Sequence, residues 1–227
     1  MISRIFLATA LLLLSACAGT ETITDPQAGS SSDMDMSEME ELFNQRQEEA
    51  RSRYSQADVD FMSGMIGHHA QALIMSELSE EAGASGPIRI LTARIINAQK
   101  DEIATMQKWL EDRGQPVPQV HIDGLNLMVH GAESDHMDHT NMPGMLSKEQ
   151  LEELASAKGA DFDRLFLTYM IQHHEGATSM VDMLFKTDGA GNDELSFKIA
   201  SDINVDQLTE IARMELMLEE MKSTGQN

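Results

Sequence analysis

Two eleven-residue runs carry most of the side chains in this chain that could do chemistry. Met65-Ile66-Gly67-His68-His69-Ala70-Gln71-Ala72-Leu73-Ile74-Met75 and Met170-Ile171-Gln172-His173-His174-Glu175-Gly176-Ala177-Thr178-Ser179-Met180 both read Met-x-x-His-His-x-x-Ala-x-x-Met. Residues three, four and seven apart share a helix face, so Met65, His68, Ala72 and Met75 form one line and Met170, His173, Ala177 and Met180 another. The small alanine lets a partner helix come close beside the imidazole. Thioethers bind hard ions poorly and favour Cu(I), while imidazole takes Cu(I), Cu(II) or zinc. The mixed set therefore points to copper, with Cu(I) ahead of Cu(II). Neighbouring helical residues point about 100° apart. One histidine of each pair is thus expected to face the bundle axis, and the other a neighbouring helix or solvent. The plain alternative is a histidine satisfied inside a packed core.

The helices after each run also repeat. Ile95, Gln99, Glu102, Ile103 and Met106 match Ile203, Gln207, Glu210, Ile211 and Met214 in type and spacing. A carboxylate on an inward line needs a partner, and a histidine from the opposite helix supplies one. Glu102 and Glu210 could ligate a metal directly or hold an imidazole in one tautomer; a purely structural Glu–His pair is equally open. Di-iron bundles place a Glu-x-x-His motif on two helices. Here Met65 and Met170 stand where those glutamates would be, which argues against an oxygen-activating iron pair. A third constellation lies between the repeats, in residues 115–146. It holds His121, His130, His136, Met137, His139, Met142 and Met145. Gly and Pro make this stretch a loop, with no convincing strand, and its His and Met read as a metal-capture segment. The alternative is a loop whose methionines are incidental.

The elements that must position these groups are helices. A helix is predicted over about 38–53, opened by a Ser37-x-x-Glu40 capping pair. The first His–His helix runs from Ser55 to about Ala82 and its partner from Pro87 to about Arg113. A short helix over 147–158 has Ser147-x-x-Gln150 as its cap. The second hairpin has helices over about 161–186 and 194–222. The expected fold is all-α: duplicated hairpins forming a ferritin-like four-helix bundle with a Met/His-rich central loop. The expected organisation is a signal peptide over 1–16, a tether over 17–36 and one domain over 37–227. Within the domain, the first hairpin spans 55–114, the loop and short helix 115–159, and the second hairpin 160–223.

The N-terminus carries Arg4, an apolar run from Ile5 to Leu14, then Leu14-Ser15-Ala16-Cys17. This resembles a bacterial lipoprotein signal, too short to span a bilayer. Cleavage would leave Cys17 as a lipidated anchor on the periplasmic side of the envelope, with Ala18 favouring the outer membrane in a Gram-negative cell. Cys17 is the one cysteine, so disulfides and thiolate metal sites are excluded. The net charge of −22 excludes nucleic acid bound by charge. Eighteen Met stand against one Trp and two Tyr, more than core filling alone explains when several fall in polar loops. No nucleophile with a base at telling spacing appears, so nothing asks for an enzyme.

The repeated Met-x-x-His-His-x-x-Ala-x-x-Met, the Gln-x-x-Glu-Ile-x-x-Met of the partner helices and His136-Met137-x-His139-x-x-Met142-Pro143-Gly144-Met145 resemble a bacterial ferritin-like family of unknown function that includes CopM-type periplasmic copper-resistance proteins. The likeness covers about residues 55–223. It implies a four-helix bundle that binds copper in the cell envelope. The sequence reading is copper sequestration or delivery, hence tolerance, with a copper-donor or copper-acceptor protein as a possible partner. The ligands would be Met65, His68, Met75 and Met106, and Met170, His173, Met180 and Met214. His69, His174, Glu102 and Glu210 are secondary candidates, and His136, Met137, His139, Met142 and Met145 would capture or hand over metal. Two rivals stand beside it: a di-metal oxidase using Glu102, Glu210 and the His pairs, and a structural or partner-binding bundle.

Overall fold

The computed structural model describes residues 35–131 and 141–223. The signal peptide, the lipidation site Cys17, nearly all of the tether, and His136, Met137 and His139 lie outside them. The chain divides at Glu41 into two units. The first contributes only the opening of α1 (Met36–Arg51), a polar and largely exposed helix. Ser37 does not cap it: the helix starts one residue earlier, and the Ser37 hydroxyl turns to Asp35 Oδ2 at 3.0 Å.

The second unit is mainly helical. α2 (Gln56–Glu77) and α3 (Gly86–Glu111) pack as one hairpin, and α5 (Gly159–Lys186) and α6 (Glu194–Ser223) as another. α2 lies against α5 and α3 against α6. α4 (Lys148–Ser156) opens with the expected box, Ser147 Oγ accepting from Gln150 N and Gln150 Oε1 from Ser147 N. Ser55 and Asp58 form the same reciprocal cap at the start of α2.

The connection between the hairpins is not all loop. β1 (Gln119–Asp123) and β2 (Asn126–His130) form an antiparallel hairpin with Val120 opposite Val129 and Ile122 opposite Leu127. Val120, Ile122, Leu127 and Val129 alternate with exposed neighbours, which suits a half-buried ribbon. Gly124, at φ 58°, makes the tight turn possible. The alternation is short and interrupted by His and Met, which hides it in the sequence.

α2 is not amphipathic. Every residue from Phe61 to Ser76 is buried, because α3, α5, α4 and both strands pack against it. Those residues include no charged side chain at all, as all-round burial requires. The core divides into two clusters. One holds Met65, Met106 and Met180 with Met62 and Trp109; the other holds Met75, Met170 and Met214 with Phe162 and Phe166. At one end of the unit, Arg113 pairs with Asp193, lies 4.2 Å over the Trp109 ring and is almost wholly buried. Among the described residues, no helix is long and apolar enough to cross a membrane.

Candidate metal centre

His68 and His173 meet at the centre of the second unit. Their rings lie 3.9 Å apart, and both residues are fully buried. This places the first histidine of each copy at the crossing of α2 and α5. The two core clusters fit that crossing with the helices antiparallel. The methionine three before one His shares a cluster with the methionine seven after the other: Met65 with Met180, and Met75 with Met170. Met106 of α3 joins the first set and Met214 of α6 the second. The thioethers therefore group across the repeats rather than within each copy. Met65, Met75, Met106, Met170 and Met214 are inaccessible to solvent, and Met180 is buried.

The second histidine of each pair turns toward the partner helix of its own hairpin. His174 Nε2 lies 2.7 Å from Glu210 Oε2 in a hydrogen bond. His69 Nε2 lies 2.7 Å from Glu102 Oε2, in ion-pair contact but outside hydrogen-bond alignment. Gln99 and Gln207, one turn before those glutamates, are buried; neither amide atom of Gln99 has a partner, nor has Gln207 Oε1. Asp206, which the sequence reading passed over, has its carboxyl raised above the ordinary range. Burial is the largest cause, followed by the charges of Glu102, Glu210 and Asp202.

Three of the four imidazoles, those of His68, His173 and His174, bond through Nε2 to an acceptor. His68 Nε2 faces the Pro143 carbonyl at 3.0 Å, and His173 Nε2 faces the His68 carbonyl at 3.1 Å. A carbonyl only accepts, so Nε2 carries the proton in both rings, and Nδ1 is left with its lone pair. Glu210 accepts likewise from His174 Nε2, whereas Glu102 stands at the same distance from His69 Nε2 without that alignment. All four Nδ1 atoms are buried without a partner. A buried acceptor left unmet costs about 1–3 kcal/mol, so these lone pairs suit a cation or the hydrogen of a buried water. Soft thioethers and neutral imidazoles are a donor set that suits copper. Among the described residues, no three His, Cys, Asp or Glu side chains converge as a metal-holding group.

Burial, then the neighbouring charge of His69, lowers the His68 pKa to about 3, despite the Pro143 carbonyl working the other way. His173 is also held well below its usual range, first by burial and then by His68. Both rings thus stay neutral and competent to ligate in mild acid. The unfolded chain takes up these protons near pH 6.5, but the folded chain does not. The stabilisation is therefore complete above pH 6.5 and declines as pH falls below it. Each histidine should contribute a slope of about 1.4 kcal/mol per pH unit in the metal-free protein. Urea titrations between pH 6.5 and 4.5 check this: His173→Leu should flatten the slope by about that amount, and an unchanged slope would mean that His173 titrates normally.

The central loop reaches this centre by residues the sequence reading left unplaced. The Gln71 amide grips the Leu146 backbone, donating to its carbonyl at 3.1 Å and accepting from its N–H at 2.7 Å. Gly176 gives the Pro143-Gly144 backbone room against α5. Met142 packs against the cluster of Met65, Met106 and Met180, so this part of the loop is seated on the helices. Met145 lines a cavity of about 630 Å³ with Gln71, Leu146 and the β1–β2 turn. His121 and His130 stand exposed on the hairpin.

A domain of unknown function, DUF305, matches residues 58–218. The chain belongs to the DUF305 family. Among solved structures, a DUF305 fragment from Deinococcus radiodurans is similar at 27% identity and a TM-score of 0.59, over 74% of this chain and 98% of that one. A DUF305 protein from Streptomyces coelicolor shares the fold at 24% identity and a TM-score of 0.59, over 72% of this chain and 91% of that one. CopM in its Cu(I)-bound form is similar at 28% identity and a TM-score of 0.52, over 72% of this chain and 96% of its own. CopM has also been solved with Cu(II) bound. No curated protein sequence matches the chain significantly.

Proposed function

We propose that this DUF305 protein binds copper in the bacterial cell envelope, Cu(I) ahead of Cu(II), to sequester or deliver it and so support tolerance. The observation that carries the reading is the set of four buried imidazoles, each with Nδ1 unpartnered, beside two clusters of buried methionine. His68 and His173 would hold the ion with Met65, Met106 and Met180 on one side, or with Met75, Met170 and Met214 on the other. Glu102 and Glu210 would orient His69 and His174, fixing which nitrogen keeps its lone pair. Met142 and Met145, with His136, Met137 and His139, would take up or hand over the ion. The likeness to CopM, crystallised with both copper oxidation states, supports this reading. Lipidation at Cys17 would keep the protein at a membrane, and the ferritin-like bundle would serve as a rigid cage.

A di-metal oxidase finds less support, because each glutamate is engaged by its own histidine and, among the described residues, no three His, Cys, Asp or Glu side chains form a metal-holding group. Titration of the metal-free protein with Cu(I) against a competing chelator tests the proposal. The His68→Ala/His173→Ala variant should lose more than about 100-fold in affinity, whereas Glu210→Gln should lose about 10–100-fold, the range for groups that orient a ligand. Equal Cu(I) binding by the double variant and the parent would overturn it; tightly bound iron or manganese would favour the oxidase.

A further inference from the structure

The internal duplication supplies a control for what a solvated face of this fold looks like. α3 and α6 are equivalent helices, related by the match of Ile95 to Ile203 and Met106 to Met214. Opposite its buried line, α3 presents Arg89, Ala93, Asn97, Lys100, Ala104 and Lys108, all exposed. The same six positions of α6 are Phe197, Ser201, Val205, Leu208, Ala212 and Leu216. Phe197 is 53% exposed, Val205 61%, Leu208 51% and Leu216 62%. α6 therefore carries a stripe of large apolar side chains on its outer face along most of its length, where the matched positions of its twin are Arg, Lys, Asn and Ala, with Ile90 the one large apolar residue exposed beside them. Scattered surface leucines need no explanation, but a continuous stripe does.

The stripe is complementary to itself. A two-fold axis between Asp206 and Gln207, with the helices antiparallel, sets Val205 opposite Leu208 of a second copy. It sets Ser201 opposite Ala212, both small enough for the helices to close up. It also sets Lys198 opposite Glu215, an attractive pair that occurs twice. Phe197 and Leu216 fall at the same level and extend the apolar strip at both ends. A two-fold contact requires that one surface match itself in this way. Without it, two chains of charge −22 would repel. We propose that the outer face of α6 is a homodimer interface, built by antiparallel pairing of α6 from two copies. This assignment does not depend on what the histidine centre binds.

Sedimentation velocity of the full chain over a range of concentrations, at roughly physiological salt to screen net repulsion, tests it. A reversible monomer–dimer equilibrium is expected. Leu208→Glu buries an unpaired charge twice and should raise the dissociation constant by about 100-fold or more. At concentrations where the parent is monomeric its thermal melt should match the parent's, because Leu208 lies outside the core of the single chain. Lys198→Glu should weaken the dimer about fivefold, and Lys198→Glu/Glu215→Lys should restore it, a rescue that only the antiparallel register predicts. Lys100→Glu, at the matching position of α3, should change nothing. A monomer at every concentration would overturn the proposal, as would an assembly indifferent to Leu208→Glu.

Discussion

Replacing Gly176 with alanine is expected to cost about 3 kcal/mol, lowering the melting temperature by about 6–12 °C, and to lift residues 141–146 off the helices. A Cβ at Gly176 would lie 2.0 Å from the Pro143 carbonyl oxygen and 2.6 Å from Gly144 Cα. These are backbone atoms, so no side-chain rotation relieves the clash. Gly144 faces the same contact from the other side, at φ 78°, with the Gln172 carbonyl 2.6 Å from where its own Cβ would be. The Pro143 carbonyl is the acceptor for His68 Nε2, so lifting the segment also frees the tautomer of a central imidazole. Circular dichroism melts measure the stability, and amide exchange at Met145 and Leu146 reports the segment. Gly86→Ala is the control: a Cβ there meets nothing within 4 Å, so it should be neutral or slightly stabilising. A Gly176→Ala melt within about 1 °C of the parent would mean that the segment is not seated against α5.

The duplicated helices are legible because two physical signals agree: a helical apolar period, and the same polar residues recurring at the same points within it. The division of labour in each His pair follows from helix geometry, and the contact with glutamate from the cost of an unpaired inward carboxylate. The grouping of methionines is less legible, because it depends on α2 and α5 running antiparallel, which spacing within one copy does not reveal. The carbonyl partners of His68 and His173 are distant in sequence and carried by backbone, so no residue type announces them. One signal was available. Gly67 and Gln71 of the first copy correspond to Gln172 and Gly176 of the second, an exchange of Gly and Gln at two matched positions. Both glutamines bond the Gly144–Leu146 backbone, and Gly176 yields it space. Where two copies of one motif differ, an asymmetric element is covering them. The same comparison between α3 and α6 exposes the outer stripe.

Asp193→Ala should destabilise the protein by about 3–5 kcal/mol while leaving copper affinity unchanged. Asp193 stands at the N-terminus of α6, where its Oδ1 accepts from Ser196 N at 2.7 Å and from Trp109 Nε1 at 3.1 Å, and it pairs with the buried Arg113. Burial works to raise its carboxyl, but hydrogen bonds from Arg113, Ser196 and Trp109 outweigh it and hold the group below the ordinary range. Truncation leaves Arg113 charged, buried and unpaired, and removes a helix cap. Arg113→Leu/Asp193→Ser, which deletes both charges and retains a capping oxygen, should recover more than half of the loss in urea unfolding. The Asp193 network joins Asp58 through Ser196, ten residues and about 15 Å of helix rise from His68. It tests stability without touching the histidine centre. If Asp193→Ala weakened Cu(I) binding as much as His68→Ala/His173→Ala does, loss of binding in those variants would reflect a loosened bundle. Undiminished affinity in Asp193→Ala, beside its loss in the histidine variant, would place the ion at the crossing of α2 and α5.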